Sequence, residues 1–167
     1  GVYKAGGEIP VAMAGYGPGT ANIVPGLLCA REEGVPVIAI SSQVPTSIGY
    51  PFRSGVYQAV NQYDIMKPVC KWNEVVHQWK RIPEIIQAAF REAMAGRPGP
   101  VHIDIPYDIL YEEGDDSELE YFEPHQYRVL VLEPAAAQVE KVDRLIAEAG
   151  NPLMIAGTGV LNGVGWG

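Results

Sequence analysis

Two short runs, Ile9-Pro10-Val11-Ala12-Met13-Ala14 and Pro36-Val37-Ile38-Ala39-Ile40-Ser41, are apolar without the alternation of a half-wet strand. Strands of that kind are buried on both faces, which calls for a parallel sheet covered by helices on each side. The stretch between them agrees. Residues 20–33 read as a helix through Ile23, Leu27, Leu28 and Ala30, closed by Glu32, Glu33 and Gly34. Pro25 suits that helix only if it lies in the first turn. The alternation then continues with a short helix at 57–64 and a strand at 68–72. A helix follows from Pro83 through Ile85, Ile86, Ala89, Phe90 and Ala93 to Gly96, and then a strand at 101–105. The expected fold is α/β, a doubly wound parallel sheet with strands near 9–14, 36–41, 68–72 and 101–105.

With 167 residues, 47% of them hydrophobic, the chain can build one core and part of another. Residues 112–123 carry acidic side chains and no basic one, the composition of a solvated linker. A new helix begins after Pro134, with Val139, Val142, Leu145, Ile146 and Ala149 marking a buried face, followed by a strand at 152–157. One helix and one strand make no core of their own. The expected organisation is therefore a first domain at 1–111 that lacks its N-terminal part, an extended linker at 112–133, and the start of a second domain at 134–167. The chain reads as cut from a longer protein at both ends. A net charge of −8 argues against a nucleic-acid surface, and no run has membrane-spanning length. Cys29 and Cys70 have no partners at metal-ligand spacing. They read as small buried hydrophobes of a reducing, cytoplasmic protein.

The chemistry concentrates in Gly15-Tyr16-Gly17-Pro18-Gly19-Thr20-Ala21-Asn22, a glycine turn between a strand and a helix N-terminus. Backbone N–H groups and the helix dipole face a ligand there, and glycine lets it approach the main chain. The turn is not the dinucleotide fingerprint, because Thr20 stands where the third glycine belongs. Nor is it a Walker loop, since no Gly-Lys-Ser/Thr follows. Asn22 is either a helix cap or a ligand contact. His102 lies in an apolar strand and reads as a satisfied core histidine. Asp104 and Asp108 read as turn and cap residues, and Lys71 as a solvated strand-end lysine.

Four blocks carry a resemblance. They are Gly17-Pro18-Gly19 with Asn22; Val37-Ile38-Ala39-Ile40-Ser41 running into Ser42-Gln43-Val44-Pro45; Tyr57-Gln58 with Lys67-Pro68-Val69 and Lys71-Trp72; and Gly96-Arg97-Pro98-Gly99-Pro100-Val101-His102-Ile103-Asp104-Ile105-Pro106. In this order they resemble the thiamine-diphosphate enzymes of the acetolactate synthase type, in the domain that binds the aminopyrimidine ring. Residues 134–161 resemble the opening of the central domain that follows. The resemblance implies a decarboxylating carboligase acting on a 2-oxo acid, with thiamine diphosphate as cofactor. It implies Mg2+ held through a domain absent here, and FAD as a further cofactor near Gly157-Thr158-Gly159. It places Gly17, Pro18, Gly19 and Asn22 at the cofactor and Gln58 and Gln43 nearest the reacting carbons. A side chain at Gly17 is then expected to weaken cofactor binding more than folding.

The same resemblance implies a homodimer or dimer of dimers with shared active sites, so the fragment alone is expected to be inactive. The glutamate that protonates the ring in the family lies upstream of this chain. Tyr16 stands before Gly17-Pro18-Gly19 where the family has Ser or Thr, and Ala59 stands where synthases have Glu. Tyr57-Gln58-Ala59-Val60 is closer to glyoxylate carboligase. The alternatives are a simple 2-oxo acid decarboxylase, a glyoxylate carboligase-like enzyme, and a non-catalytic α/β assembly domain.

Overall fold

The computed structural model describes residues 1–49, 51–53, 55–127, 133–157 and 159–160. By its internal contacts the chain divides into two units, Gly1–Val129 and Leu130–Gly167. The first contains a parallel sheet of β1 (Val11–Ala14), β2 (Val37–Gln43), β3 (Trp72–Val75) and β4 (Pro100–Pro106), in the order β1-β2-β4-β3. β2 runs parallel to both β1 and β4, with Ala12 opposite Ala39 and Ser41 opposite Asp104. β3 completes the sheet beside β4, with Asn73 opposite His102. The parallel α/β sheet expected from the apolar runs is therefore present.

Helices cover both faces. After a short α1 (Val2–Gly6) come α2 (Pro18–Glu32), α3 (Thr46–Gly49), α4 (Gln62–Met66) and α5 (Ile82–Met94). On one face Ile38, Val101, Ile103 and Ile105 pack with Ile85, Ala89 and Ala93 of α5. On the other, Ala39 packs with Leu27 of α2, Met66 of α4, Val69 and Cys70. Adjacent residues Ile38 and Ala39 enter opposite cores because strand side chains alternate.

Local details depart from the sequence expectations. Helix α2 begins two residues earlier than residue 20, so Pro18 holds its first turn and Pro25 sits in its interior. Pro25 has no N–H for the Ala21 carbonyl, a loss the helix carries on an exposed side. The third strand is Trp72–Val75, while 67–71 is turn. The apolar Val69-Cys70 pair is buried beneath α2 as part of that turn. Only the end of the expected 57–64 helix is helical, from Gln62. Cys29 is exposed, and only Cys70 is a buried thiol, pushed up to about 12 by desolvation.

Beyond β4 lie α6 (Tyr107–Leu110) and α7 (Pro124–Tyr127). The acidic segment is not wholly extended. It contains a 3-10 turn at Asp116–Glu118, and Tyr127 rests its ring 6.4 Å from that of Phe90. In the second unit, α8 (Ala136–Glu148) is the expected helix. Its apolar face is exposed, with Val139, Val142, Leu145 and Ile146 at 46–59%. Residues 152–157 are not a strand, because among the described residues no backbone pairs with them. Of the Gly157-Thr158-Gly159 turn assigned to a flavin, Thr158 lies outside the described residues.

Candidate functional site

The carboxyl ends of β1, β2 and β4 lie side by side, and in open α/β sheets ligands bind in the crevice outside that edge. The glycine turn leaves β1 there. Gly17 is the N-cap of α2 with φ of +64°, a conformation that disfavours any residue with a Cβ. A Cβ on Gly17 would also overlap the carbonyl oxygen of Gln58. The space beside Gly17 is thus filled by the chain itself, so a side chain there strikes the fold directly, contrary to the expectation that binding suffers first. Gly15, by contrast, is exposed with open space where a side chain would stand. Thr20 is buried and its hydroxyl donates to the Gly15 carbonyl at 3.0 Å, tying the two ends of the turn together. The Tyr16 amide donates to the Ser42 hydroxyl at 3.1 Å and so fastens the turn to the end of β2.

Beneath the turn lies a buried polar network that the sequence did not announce. Ser41, Gln43, Gln62, His102 and Asp104 are all buried, on the face of the sheet that meets α2 and α4. Asp104 accepts from Gln62 Nε2 at 2.5 Å through Oδ1 and from Gln43 Nε2 at 3.2 Å through Oδ2, with Ser41 Oγ 3.2 Å from Oδ1. Gln62 also donates to the Ser42 carbonyl at 2.7 Å and accepts from the Gly17 amide at 3.0 Å. Every buried side-chain nitrogen and oxygen among the described residues has a partner.

The tautomer of His102 follows from its neighbours. Asn73 Nδ2 donates to the Tyr63 carbonyl at 2.7 Å, which turns Oδ1 toward His102 Nδ1 at 2.6 Å. An amide oxygen only accepts, so Nδ1 carries the proton. Nε2 is then bare and accepts from the Ser41 hydroxyl at 2.5 Å. Burial lowers the His102 pKa to about 4, so the ring is neutral near pH 7. This resembles a serine–histidine–amide relay in order, but it is sealed from solvent and therefore structural. The core-histidine reading of His102 agrees with this. Asp104 is more than a turn residue, being the carboxylate around which the network closes.

The residues expected at the site separate by exposure. Gln43 is buried, its carbonyl accepting from the Val44 amide at 2.9 Å and its amide spent on Asp104 and the Val60 carbonyl. Gln58 is exposed with φ of +58°, the one non-glycine residue at positive φ among those described, and Tyr57 beside it is 81% exposed. Pro18 is exposed and Gly19 half-buried at the start of α2. Asn22 is exposed inside α2 and caps nothing, because the cap is Gly17. Lys71 faces the other end of the sheet, where its ammonium donates to the Ala95 and Arg97 carbonyls at 2.5 and 2.8 Å after α5. Asp108 accepts from the Thr46 amide at 3.0 Å and anchors the start of α3. Tyr107 and Tyr111, with ring centroids 4.5 Å apart, stand beyond β4. Their phenolic hydrogen bond raises the pKa of Tyr107. Among the described residues no group of three or more His, Cys, Asp or Glu could hold a metal ion.

Residues 1–65 match the family of the thiamine pyrophosphate enzyme N-terminal TPP binding domain. Over those residues the chain is similar to the thiamine pyrophosphate enzymes. Over 96% of its length it is 34% identical to a probable acetolactate synthase large subunit of Methanocaldococcus jannaschii, and it covers 27% of that protein. It is equally 34% identical to the acetolactate synthase of Arthrospira platensis, covering 28% of it. Over 93% of its length it is 33% identical to the glyoxylate carboligase of Escherichia coli O157:H7, covering 25% of it. The chain thus spans about a quarter of the length of the curated relatives it matches. The matched thiamine pyrophosphate domain takes in β1, the glycine turn, α2, β2 and the Gln58 loop, ending within α4.

Gln62 is the residue that sequence reasoning missed. Its only signal was a glutamine four residues after Gln58, at the head of a short helix.

Proposed function

We propose that this chain supplies the pyrimidine-facing half of a thiamine-diphosphate site in a decarboxylating carboligase that acts on 2-oxo acids. One observation carries the reading. At the start of α2 the Gly17 amide is taken by Gln62, Pro18 has none and Thr20 is buried, so the amide of half-buried Gly19 is the first-turn donor left outside the helical ladder toward the surface. It lies on the same turn as Gly15, where no side chain stands. A flat heterocycle whose ring nitrogen accepts a hydrogen bond fits that donor and the open space at Gly15, and an aminopyrimidine is such a ring. When bound, thiamine diphosphate supplies the electron sink for loss of carbon dioxide from the 2-oxo acid.

The chain's own residues bind and orient. Gly15 and Gly19, with exposed Pro18 between them, let the ring reach the backbone, while Gly17 shapes the turn from within. Gln58 and Tyr57, exposed on the loop against Gly17, face the reacting carbons and keep water from them. Gln43 acts from below by holding Asp104 and Val60. Asn22 lines the approach from the exposed side of α2. Diphosphate and Mg2+ are held by parts of the intact protein outside the residues described, and FAD lies near the turn of Gly157 and Gly159.

We further read residues 1–111 as the pyrimidine domain, 112–133 as the connection, and 134–167 as the opening of the next domain. The intact protein is a cytoplasmic homodimer or dimer of dimers whose subunits share the site. The supports are the unpaired apolar face of α8, the two free thiols, and the absence among described residues of a helix able to cross a membrane. Tyr57-Gln58-Ala59-Val60 favours a second reading of the acceptor, in which glyoxylate rather than a larger 2-oxo acid is coupled.

Titration of thiamine diphosphate with Mg2+ into the intact protein tests the proposal. Saturable binding, and carbon dioxide release from a 2-oxo acid with a coupled product, are expected. A free aldehyde product would make it a simple decarboxylase, and no binding would make it an assembly domain.

A further inference from the structure

Gln62 is buried completely, yet it belongs to no apolar cluster. Its amide reaches three segments that are distant in sequence. Oε1 takes the Gly17 N–H at 3.0 Å. Nε2 gives one hydrogen to the Ser42 carbonyl at 2.7 Å and the other to Asp104 Oδ1 at 2.5 Å. A primary amide has two N–H groups and one carbonyl, so these bonds use it fully. Glutamate could accept from Gly17 but has no donor for Ser42 and would set a second negative charge against Asp104. Methionine matches the length and offers neither. Asparagine is one methylene short of Gly17.

The bond to Gly17 bears on the site because the turn has little else to fix it on that side. Gly17 is at φ +64° and abuts the backbone of Gln58, itself at φ +58°. Two residues in the left-handed region, pressed together, persist only where their surroundings over-determine them. A buried Gly17 amide without its acceptor would drive the turn to find another partner. That movement would carry Pro18, Gly19 and the first donors of α2 with it.

We propose that Gln62 is a positioning residue of the thiamine-diphosphate site. Anchored on Asp104 and Ser42, it holds the Gly17-Pro18-Gly19 turn and the Gln58 loop in the conformation that receives the ring. This rests on the reading of the site given above.

The test compares the intact wild-type protein with Gln62→Met and with Ile103→Val, a one-methyl deletion in the core on the opposite face of the sheet. Three quantities are measured: melting temperature, amide hydrogen exchange across residues 15–22, and thiamine-diphosphate affinity with Mg2+. Both variants are expected to melt lower. Only Gln62→Met should speed exchange in the turn and weaken the cofactor by about tenfold or more, with kcat at saturating cofactor near wild type. If Gln62→Met does not fold, Gln62→Asn replaces it with the same expectation. Cofactor affinity equal to that of Ile103→Val overturns the proposal, and so does unchanged exchange in the turn. Failure of the wild type itself to bind thiamine diphosphate sinks the site reading and the positioning role together. That outcome is distinct, because it is read on the unmodified protein.

Discussion

The two faces of the central sheet are made by the same strands and differ completely in chemistry. Toward α5, β2 and β4 present Ile38, Ile40, Val101, Ile103 and Ile105. Toward α2 and α4 the same strands present Ala39, then Ser41, Gln43, His102 and Asp104. Hydrophobic contact has no direction, so the first face needs only volume and shape. The second face needs each donor aimed at its acceptor, because a buried polar group left unpaired costs about 1–3 kcal/mol. Such a face contributes little net stability for its number of bonds, but it fixes geometry. It lies directly under the glycine turn. The apolar face holds the domain together, and the polar face sets the shape of the edge where the cofactor is proposed to bind.

The largest effect that tests this division should come from the apolar face. Ile103→Ala removes most of a fully buried side chain and leaves a cavity, at a cost of about 4 kcal/mol in urea unfolding. Cofactor affinity of the protein that remains folded should be unchanged. A parallel loss of affinity would show that the two faces are not separable.

The next effect is a pH dependence that belongs to the polar face alone. Burial holds the His102 pKa at about 4 against an ordinary 6.5. Between those values the unfolded chain binds a proton that the folded chain refuses. The stability associated with neutral His102 is therefore complete above pH 6.5 and is lost as the pH falls toward 4. The loss is about 3 kcal/mol. Urea midpoints at pH 7 and pH 4.5 measure it. His102→Gln should be less stable at pH 7 but flatten this acid limb, whereas Ile103→Val should leave the limb as steep as in wild type.

Gly17→Ala follows. The methyl group meets the Gln58 carbonyl and the backbone is at φ +64°, so about 2 kcal/mol of stability should be lost. Because the turn must shift to admit it, cofactor affinity should fall as well, which separates this variant from Ile103→Ala. A variant that loses stability but binds normally would mean that the turn has no part in the site.

What could be read from the sequence follows the same division. The sheet was legible because Val37-Ile38-Ala39-Ile40 and its partners are apolar runs of strand length, and burial on both faces leaves few alternatives. The α5 face was legible for a related reason: Ile85, Ala89 and Ala93 recur with helical spacing. The third strand was misplaced by four residues because Val69-Cys70 is apolar for packing under α2, not for pairing. Pro25 pointed to the wrong helix start, since Pro18 already occupied the first turn. The polar network was not legible at all. Its long-range bonds join residues 17 to 61 positions apart, such as Gln43 with Val60 and Ser41 with His102. No local pattern marks a glutamine whose three partners lie on three other segments. Periodicity reports which face is buried, not which buried polar groups will find one another.

Lys71 gives the smallest effect and the cleanest control on where the site lies. It immediately precedes β3, and its amide donates to the Pro100 carbonyl at the start of β4, so it sits at the amino edge of the sheet. Its ammonium caps the carbonyls of Ala95 and Arg97 beyond the end of α5, where a cation also meets the negative end of the helix dipole. Burial lowers the Lys71 pKa, but the residue is largely exposed, so solvent weakens the electrostatic part of this cap. Lys71→Met keeps the stem that packs against Gly99 and removes only the charge and its donors. The expected cost is about 1 kcal/mol by urea unfolding. Because the proposed site is at the carboxyl edge, the KM for a 2-oxo acid should not change. A raised KM with an unchanged melting temperature would place substrate at the amino edge and invert the assignment of the two ends of the sheet.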